Sequence, residues 1–413
     1  MKAFVGSSPL KVLFLSQRFL FPMDDGGKIR TGKLLEKLNK VFELTLISNV
    51  ESPKDDPYVG QMEQLCAKFY PVPWRKTGKY SFYFYWNLFV KSFSRYPISV
   101  ANDYSPALEA ALHSALTVEK YNLLVCDFLQ PSLNFRRISG YPMVLFQHNV
   151  ESVIVKRHFA TSKDPVSKLF WWLQWVKMVR YEREACQRFS GVITVSDVDK
   201  SLLEREFGVH KVFAVPTGID TEFFTPCEEP VEENSLVFIG SMDWLPNEDA
   251  VLFFVREILG KIKQQIPGVK VTIVGKNPSS HLVQALQHHP EVKTIGWVED
   301  IRPHLSRHTL SILPLRIGGG TRIKVYEAMA MGKVVVSTRI GVEGLPLVDG
   351  EHVVLADGQE EFAQAVVQLL RNHRKRQRIA MAARDFVDRN CGWQHAAESF
   401  ADICQKVVTE GKE

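Results

Sequence analysis

The sequence predicts an α/β protein of two domains, each a doubly wound parallel sheet flanked by helices. The chain of 413 residues exceeds what one ordinary core supports and fits two domains of roughly 200 residues. Each half opens with a short apolar run that ends in small residues, KVLFLS (Lys11–Ser16) and LVFIGS (Leu236–Ser241). Runs without polar alternation read as parallel strands covered on both faces, and strand and helix patterns then alternate in both halves. Apolar residues at 45% and charged residues at 23% exclude a disordered or coiled-coil chain.

In the first half the later strand candidates are Leu44–Ser48, Leu123–Cys126, Met143–Gln147, Val192–Val195 and Val212–Val215. In the second they are Lys270–Val274, Thr294–Ile295, Leu310–Leu313, Val334–Ser337 and Val353–Leu355. Between the halves, TEFFTPCEEPVEENS (Thr221–Ser235) mixes prolines with acids and has neither period, so it reads as the interdomain linker. Sheets of this kind bind ligands at the carboxyl ends of their strands, which places the expected site in a cleft with one sheet edge on each side.

The N-terminal stretch carries no signal-peptide pattern, and the aromatic-apolar runs are shorter than the 18 or so residues of a membrane span. The six cysteines form no CxxC pair and read as free buried thiols of a reducing compartment, giving a cytoplasmic expectation. Residues 1–225 carry 29 Lys/Arg against 22 Asp/Glu (+7), and the remainder 22 against 24 (−2). A basic first half suits an anionic membrane surface or anionic acceptor, or is an ordinary solvated surface. No nucleic-acid-binding motif accompanies it.

The most informative stretch is LPLRIGGGTRIKVYEAMAMGK (Leu313–Lys333). A strand runs into Gly318, Gly319 and Gly320, then Thr321 and a helix whose start carries Arg322 and Lys324. Backbone amides and cations crowded at a helix N-terminus bind a diphosphate, and glycine lets the anion approach the amides. Glu327, about five residues into the helix, is placed to accept ribose hydroxyls.

These residues resemble the donor-binding signature of retaining GT-B glycosyltransferases of family 4 (group 1). PTGIDTEFFTP (Pro216–Pro226) and VITVSDVDKSLL (Val192–Leu203) are similar to that family's crossover region, with Thr217 where Asn is usual. IGSMDWLPNEDA (Ile239–Ala250) looks like the second-lobe opening of an exopolysaccharide-associated subgroup, and GWVEDI (Gly296–Ile301) resembles the loop that reads the base around Val298. The resemblance implies two Rossmann-like domains, 1–222 and 223–392, with a tail 393–413 that crosses back to the first. It further implies a nucleotide diphosphate sugar donor (UDP- or GDP-sugar), a glycan or lipid-linked acceptor, retention at the anomeric carbon, and no metal or other cofactor. One departure stands out: where many members carry a first glutamate near the donor sugar, this chain has Gly319.

Other members carry an Arg and a Lys after the first strand of the second lobe. Here Gly240, Ser241 and the rest of GSMDWLPN (Gly240–Asn247) offer no cation, so Arg316, Arg322, Lys324 and Lys276 become the candidate diphosphate partners. In the first lobe the resemblance implies that Gly26, Gly27 and Arg30 line a phosphate and acceptor loop, although Gly-Gly before a helix is equally an ordinary turn. His148 and Asn149 follow the strand VLFQ. The family match gives His148 the task of hydrogen bonding the sugar as positive charge develops at C1. Rival readings are a nucleotide-sugar epimerase of the same fold and a catalytically silent nucleotide-sugar-binding subunit.

Two patterns read as structural. Asp197-Val198-Asp199 spells a manganese-type DxD, but Ser196 with Asp199 three residues on is a capping box. His304 and His308 stand one turn apart with Leu305 where a zinc protease needs Glu. Tyr80–Tyr96 and Lys168–Arg180 interleave aromatics with Lys and Arg, as core packing or as a face for a membrane.

Overall fold

The computed structural model describes residues 9–74, 91, 94–162, 164–227, 230–317 and 322–411. The chain divides into two compact units, Met1–Thr217 with Trp393–Glu413, and Gly218–Gly392. The division falls after Thr217, a few residues before the expected boundary at 222.

The first unit holds seven parallel strands: β1 (Lys11–Leu15), β2 (Glu43–Val50), β3 (Lys68–Pro73), β4 (Leu123–Asp127), β5 (Met143–Gln147), β6 (Gly191–Thr194) and β7 (Val212–Ala214). Their order is β3-β2-β1-β4-β5-β6-β7. Alternate residues of each run serve opposite faces, as period 2 requires. Val12, Phe14, Leu123, Val125, Val144 and Phe146 enter one core, while Leu13, Leu15, Leu124, Cys126 and Leu145 enter the other. The first core is closed by the helices Gly26–Leu38 and Trp393–Glu410, which supply Leu34, Leu35, Leu38, Trp393, Phe400 and Cys404. The second is closed mainly by the helices Pro106–Val118 and Pro165–Arg188.

The second unit holds β8 (Glu232–Ile239), β9 (Lys270–Val274), β10 (Val292–Ile295), β11 (His308–Leu313), β12 (Val334–Ser337) and β13 (Val354–Leu355), parallel in the order β10-β9-β8-β11-β12-β13. In each sheet the winding reverses beside the first strand, between β1 and β4 and between β8 and β11. Reversal leaves a crevice at the strands' carboxyl ends, because the connections on either side depart to opposite faces.

Two expectations need correction. The segment read as a linker is fastened to the second unit. Arg384 donates to the carbonyls of Thr221, Phe224 and Ala330, Arg302 stacks 3.7 Å over the Phe223 ring, and Glu232–Ser235 belong to β8. Of the six free cysteines, Cys227 is exposed and the other five are buried.

Candidate functional site

The second unit gathers its polar groups at the β8–β11 reversal. Gly240 follows β8 directly, and its N–H donates to the Val274 carbonyl at 2.9 Å. A β-carbon on Gly240 would stand 2.9 Å from Lys324 Nζ and 2.7 Å from Asn247 Nδ2, so only glycine lets these groups close over the strand end. Gly275 is tighter still, since a β-carbon there would lie 1.8 Å from the Gly240 carbonyl oxygen. Asn247, in the helix Leu245–Phe253, donates to the Ser241 carbonyl (2.8 Å) and accepts from Lys324 Nζ (2.8 Å). Ser241 Oγ donates to Asp243 (2.6 Å), whose other oxygen accepts from Asn277 (2.9 Å).

Lys324 and Glu327 rise from the helix Ile323–Ala330, which Arg322 precedes as its N-cap residue. Burial, reinforced by the neighbouring Arg322 charge, lowers the Lys324 ammonium to about 7, while Glu327 pulls it upward. Burial raises the Glu327 carboxyl to about 7, and Lys324 opposes that shift. Lys324 also sits 5.1 Å from the Phe238 ring. A half-buried ammonium whose main partner is a neutral amide is poorly stabilised until an anion arrives.

The remaining donor-side candidates are placed unevenly. Arg322 is buried and donates to the Ile340 carbonyl at 3.0 Å. Arg316 is turned away, holding both oxygens of Asp249 (2.6 and 3.1 Å) above Phe253. Its charge is largely spent there. Lys276 is exposed after β9, and Val298 is half-buried against the core. Gly318, Gly319, Gly320 and Thr321 lie outside the described residues.

The first unit concentrates its polar groups at the β1–β4 reversal. Asp127 ends β4 in a fully buried position. Its Oδ2 accepts from Ser16 (2.9 Å) and Thr31 (3.0 Å), and its Oδ1 meets His148 Nε2 at 2.8 Å. The other imidazole nitrogen, Nδ1, lies 2.9 Å from Arg30 Nη1. A guanidinium only donates, so Nδ1 accepts and the proton stands on Nε2, aimed at Asp127. Burial lowers His148 to about 4, against the pull of Asp127, so the ring is neutral near pH 7. It is clamped by Phe128, stacked at 3.8 Å, and by Phe146 at 4.4 Å. Phe128 takes a left-handed φ of 67°, an unfavourable conformation for an aromatic residue.

This geometry revises three expectations. Both His148 nitrogens are engaged, so a sugar hydroxyl reaching the ring must displace Arg30 or Asp127. Arg30 is buried at 4% exposure and is bonded to Thr217 Oγ1 (2.8 Å) as well as to His148, so its guanidinium is engaged within the first unit. The amides of Gly27 and Lys28 are capped by Asp25 (2.9 and 3.0 Å), so that helix end already holds a carboxylate. Gly27 has a packing reason, since its β-carbon would meet Phe128 at 2.9 Å, whereas Gly26 faces open space. Asn149 is half-buried beside the ring.

The two structural patterns hold. Ser196 Oγ accepts from the Asp199 amide (3.1 Å), and His308 is tied to the His304 carbonyl and to Thr272 within the second unit's core. Sequence reasoning missed Asp127 and Asn247. A lone acid closing the otherwise apolar run LLVCD was a usable signal for the first; Asn247 offered none.

Comparison with known proteins covers both units. A family model described as "Glycosyltransferase Family 4" matches residues 33–223, and one described as "Glycosyl transferases group 1" matches residues 233–372. The chain is 21% identical over 392 residues to an "Uncharacterized 44.6 kDa protein in cps region" of Klebsiella pneumoniae, covering 92% of this chain and 96% of that one. It is 26% identical over 234 residues to the phosphatidyl-myo-inositol mannosyltransferase of Mycobacterium leprae, covering 54% and 61%. Among solved structures, Anabaena Alr3699/HepE in complex with UDP and glucose matches with a TM-score of 0.67 at 14% identity, over 96% of this chain and all of that one. Sucrose-phosphate synthase from Thermosynechococcus elongatus matches with a TM-score of 0.70 at 15% identity, over 97% and 100%. At these identities the structures establish the fold, and with the family models they show that the chain belongs to the group 1, family 4 glycosyltransferases of GT-B architecture.

Proposed function

We propose that this glycosyltransferase moves a hexosyl group from a nucleotide diphosphate sugar, a UDP- or GDP-sugar, to a hydroxyl of a glycan or lipid-linked saccharide in cell-surface polysaccharide synthesis, with retention and without a metal ion. The observation that carries the donor reading is Lys324, poised against Gly240 at the β8–β11 reversal, with Arg322 beside it and Glu327 a turn along the same helix. The neighbour solved with UDP and glucose, and the relative from a cps region, support the donor class and the polysaccharide role.

In this reading Lys324, the Arg322 charge and the loop amides meet the diphosphate as the glycosidic bond breaks, while Glu327 accepts ribose hydroxyls. Charge accumulating on the leaving oxygen is then matched by donors already aimed at it. The acceptor hydroxyl attacks C1 from the face the diphosphate leaves. Its oxygen forms the new bond, and its proton passes to the departing diphosphate oxygen. No group outside donor and acceptor is required for the proton balance.

A thermal-shift series with UDP-, GDP- and ADP-sugars, followed by assay of nucleotide release with and without a saccharide acceptor, tests the reading. One donor raising the melting temperature with its logarithm of concentration, and acceptor-dependent release, is the expected result. Conversion of the donor sugar without acceptor would assign an epimerase. Binding without turnover would assign a silent subunit.

A further inference from the structure

The helix Pro165–Arg188 turns the wrong face to solvent. Its inner side is conventional: Gln174, Met178, Tyr181 and Ala185 are buried, and Trp171 and Trp175 stack on His158 and Phe159 of the helix Glu151–Thr161. On the outer side, Val166 is 80% exposed, Leu169 58%, Trp172 43%, Leu173 43% and Val176 50%. At 100° per residue these five positions fall within an arc of about 120°, opposite the buried Met178 and Ala185. An outward helix face in water is normally polar, and a contiguous apolar one marks a surface meant for a partner.

We propose that this stripe rests on a lipid surface bearing anionic headgroups. Three features select that occupant. Exposed cations flank the stripe: Lys168 beside it, Arg183 continuing its face, and Lys156 and Arg157 on the neighbouring helix. The nearest acids are already occupied, Asp164 capping the helix through the Ser167 amide (2.8 Å) and Glu184 holding Arg180 (2.8 Å). Trp172 lies among the aliphatic side chains, where an indole suits the boundary between headgroups and acyl chains. A second copy of this chain is the poorer fit. A two-fold contact through the stripe would bring Lys168 and Arg183 against the same cations of the other copy. The helix lies on the surface and does not span, for no helix of the described residues is long and apolar enough to cross a membrane.

The inference deepens the acceptor part of the proposed function, on which it rests for its purpose, because a lipid-linked saccharide is met at a bilayer. The test is sedimentation of the full chain with vesicles of phosphatidylcholine alone or mixed equally with phosphatidylglycerol, at low and high salt. Binding to the mixed vesicles, weakened by salt, is expected. The triple variant Leu169→Glu, Leu173→Glu, Val176→Glu loses about tenfold or more of it, since three apolar contacts become repelled charges. The pair Lys168→Glu, Arg183→Glu, which leaves the stripe intact, removes the preference for phosphatidylglycerol. Light scattering on the wild-type chain is expected to be independent of concentration. Equal pelleting of wild-type and triple variant, pelleting of neither, or a dimer that the triple variant abolishes, each overturns the proposal. Transfer to a soluble saccharide, unchanged in the triple variant, reports on the proposed function separately. Its absence in every protein would sink that function and leave lipid binding standing.

Discussion

The ammonium of Lys324 lies 2.9 Å from the point a β-carbon would occupy on Gly240. One member of that contact stands on the helix after β11 and the other at the end of β8, so the contact closes the winding reversal of the second sheet. It also brings a cation beside Gly240–Asn247, a loop that has none of its own.

Gly240→Ala is therefore expected to impair donor binding more than folding. The added methyl meets the ends of two side chains, Lys324 and Asn247, of which lysine moves easily, so the ammonium is displaced and affinity for a nucleotide diphosphate sugar falls about tenfold, the usual value of a lost charge-assisted bond. Gly275→Ala makes the contrast, because its methyl meets the backbone oxygen of Gly240 and the strands must part. There the expected change is a stability loss of about 1–3 kcal/mol, as overpacking typically causes. Calorimetric binding and urea unfolding of both variants decide it. Equal melting with unchanged affinity in both would refute the contact.

Donor affinity is expected to depend on pH in a bell. Lys324, lowered to about 7, must be protonated to meet the diphosphate, so affinity falls as pH rises above 7, by up to about tenfold per unit. Glu327, raised to about 7, must be ionised to accept two ribose hydroxyls, so affinity also falls as pH drops below 7. The diphosphate diester of the donor does not titrate in this range. Lys324→Met removes the alkaline limb and Glu327→Gln the acid limb; a flat profile in the wild-type chain sinks the assignment.

Much of this was legible in the sequence, and the failures have physical causes. Apolar runs such as KVLFLS declare strands covered on two faces, and all but one strand was read from such runs. The exception is β3, whose KFYPVP carries Pro71 and Pro73; proline cannot donate to a ladder, and β3 is tolerated because it is an edge. Arg30 was misread through its neighbours. Arg30, Leu34 and Leu38 recur every fourth residue, so the period that buries the two leucines also buries the arginine. Lys168–Arg180 is apolar on opposite sides of one helix, Met178 and Val179 packing inward while Trp172 and Val176 face out, and periodicity alone offers no way to choose between core and surface. Of Tyr80–Tyr96, residues 80–90 and 92–93 lie outside the described residues.

Removing the cations near the donor is expected to separate two roles. Lys324→Ala reduces turnover by about a hundredfold or more, as loss of one transition-state donor does elsewhere, with apo stability equal or higher because a disfavoured half-buried charge is gone. Arg322→Ala reduces turnover similarly but also lowers the melting temperature, since Arg322 is buried and holds the Ile340 carbonyl. Near-normal turnover in both single variants and in the double variant defeats the assignment.

Turnover is expected to persist in excess chelator. In the proposed site the diphosphate meets Lys324, Arg322 and backbone amides, which do the electrostatic work a divalent cation does in other transferases. Steady-state rates before and after EDTA treatment check this. Activity lost on chelation and restored by manganese would overturn it.

The polar cluster of the first unit makes the last prediction. Arg30 and Asp127 are both buried and are joined through one neutral imidazole, so the ring transmits an ion pair that never touches directly. Either charge alone is costly in that position, because burial already lowers Arg30 to about 10 against the support of Asp127 and Asp199. Arg30→Met or Asp127→Asn alone is thus expected to destabilise the unit by about 3–5 kcal/mol, the range for breaking a buried pair. The double variant leaves neither of these two charges facing the other's absence and loses less than the sum of the two, with a coupling of about 1–3 kcal/mol in a double-mutant cycle. His148→Ala disconnects the pair and is expected to cost folding free energy as well as turnover. Its ring keeps two charges linked and is packed between Phe128 and Phe146 just past the end of β5. Urea unfolding of the wild type and the four variants, with nitrogen chemical shifts of the His148 ring, makes the test. Strict additivity, or a wild-type ring protonated on Nδ1 instead of Nε2, would show that the imidazole does not carry the pair.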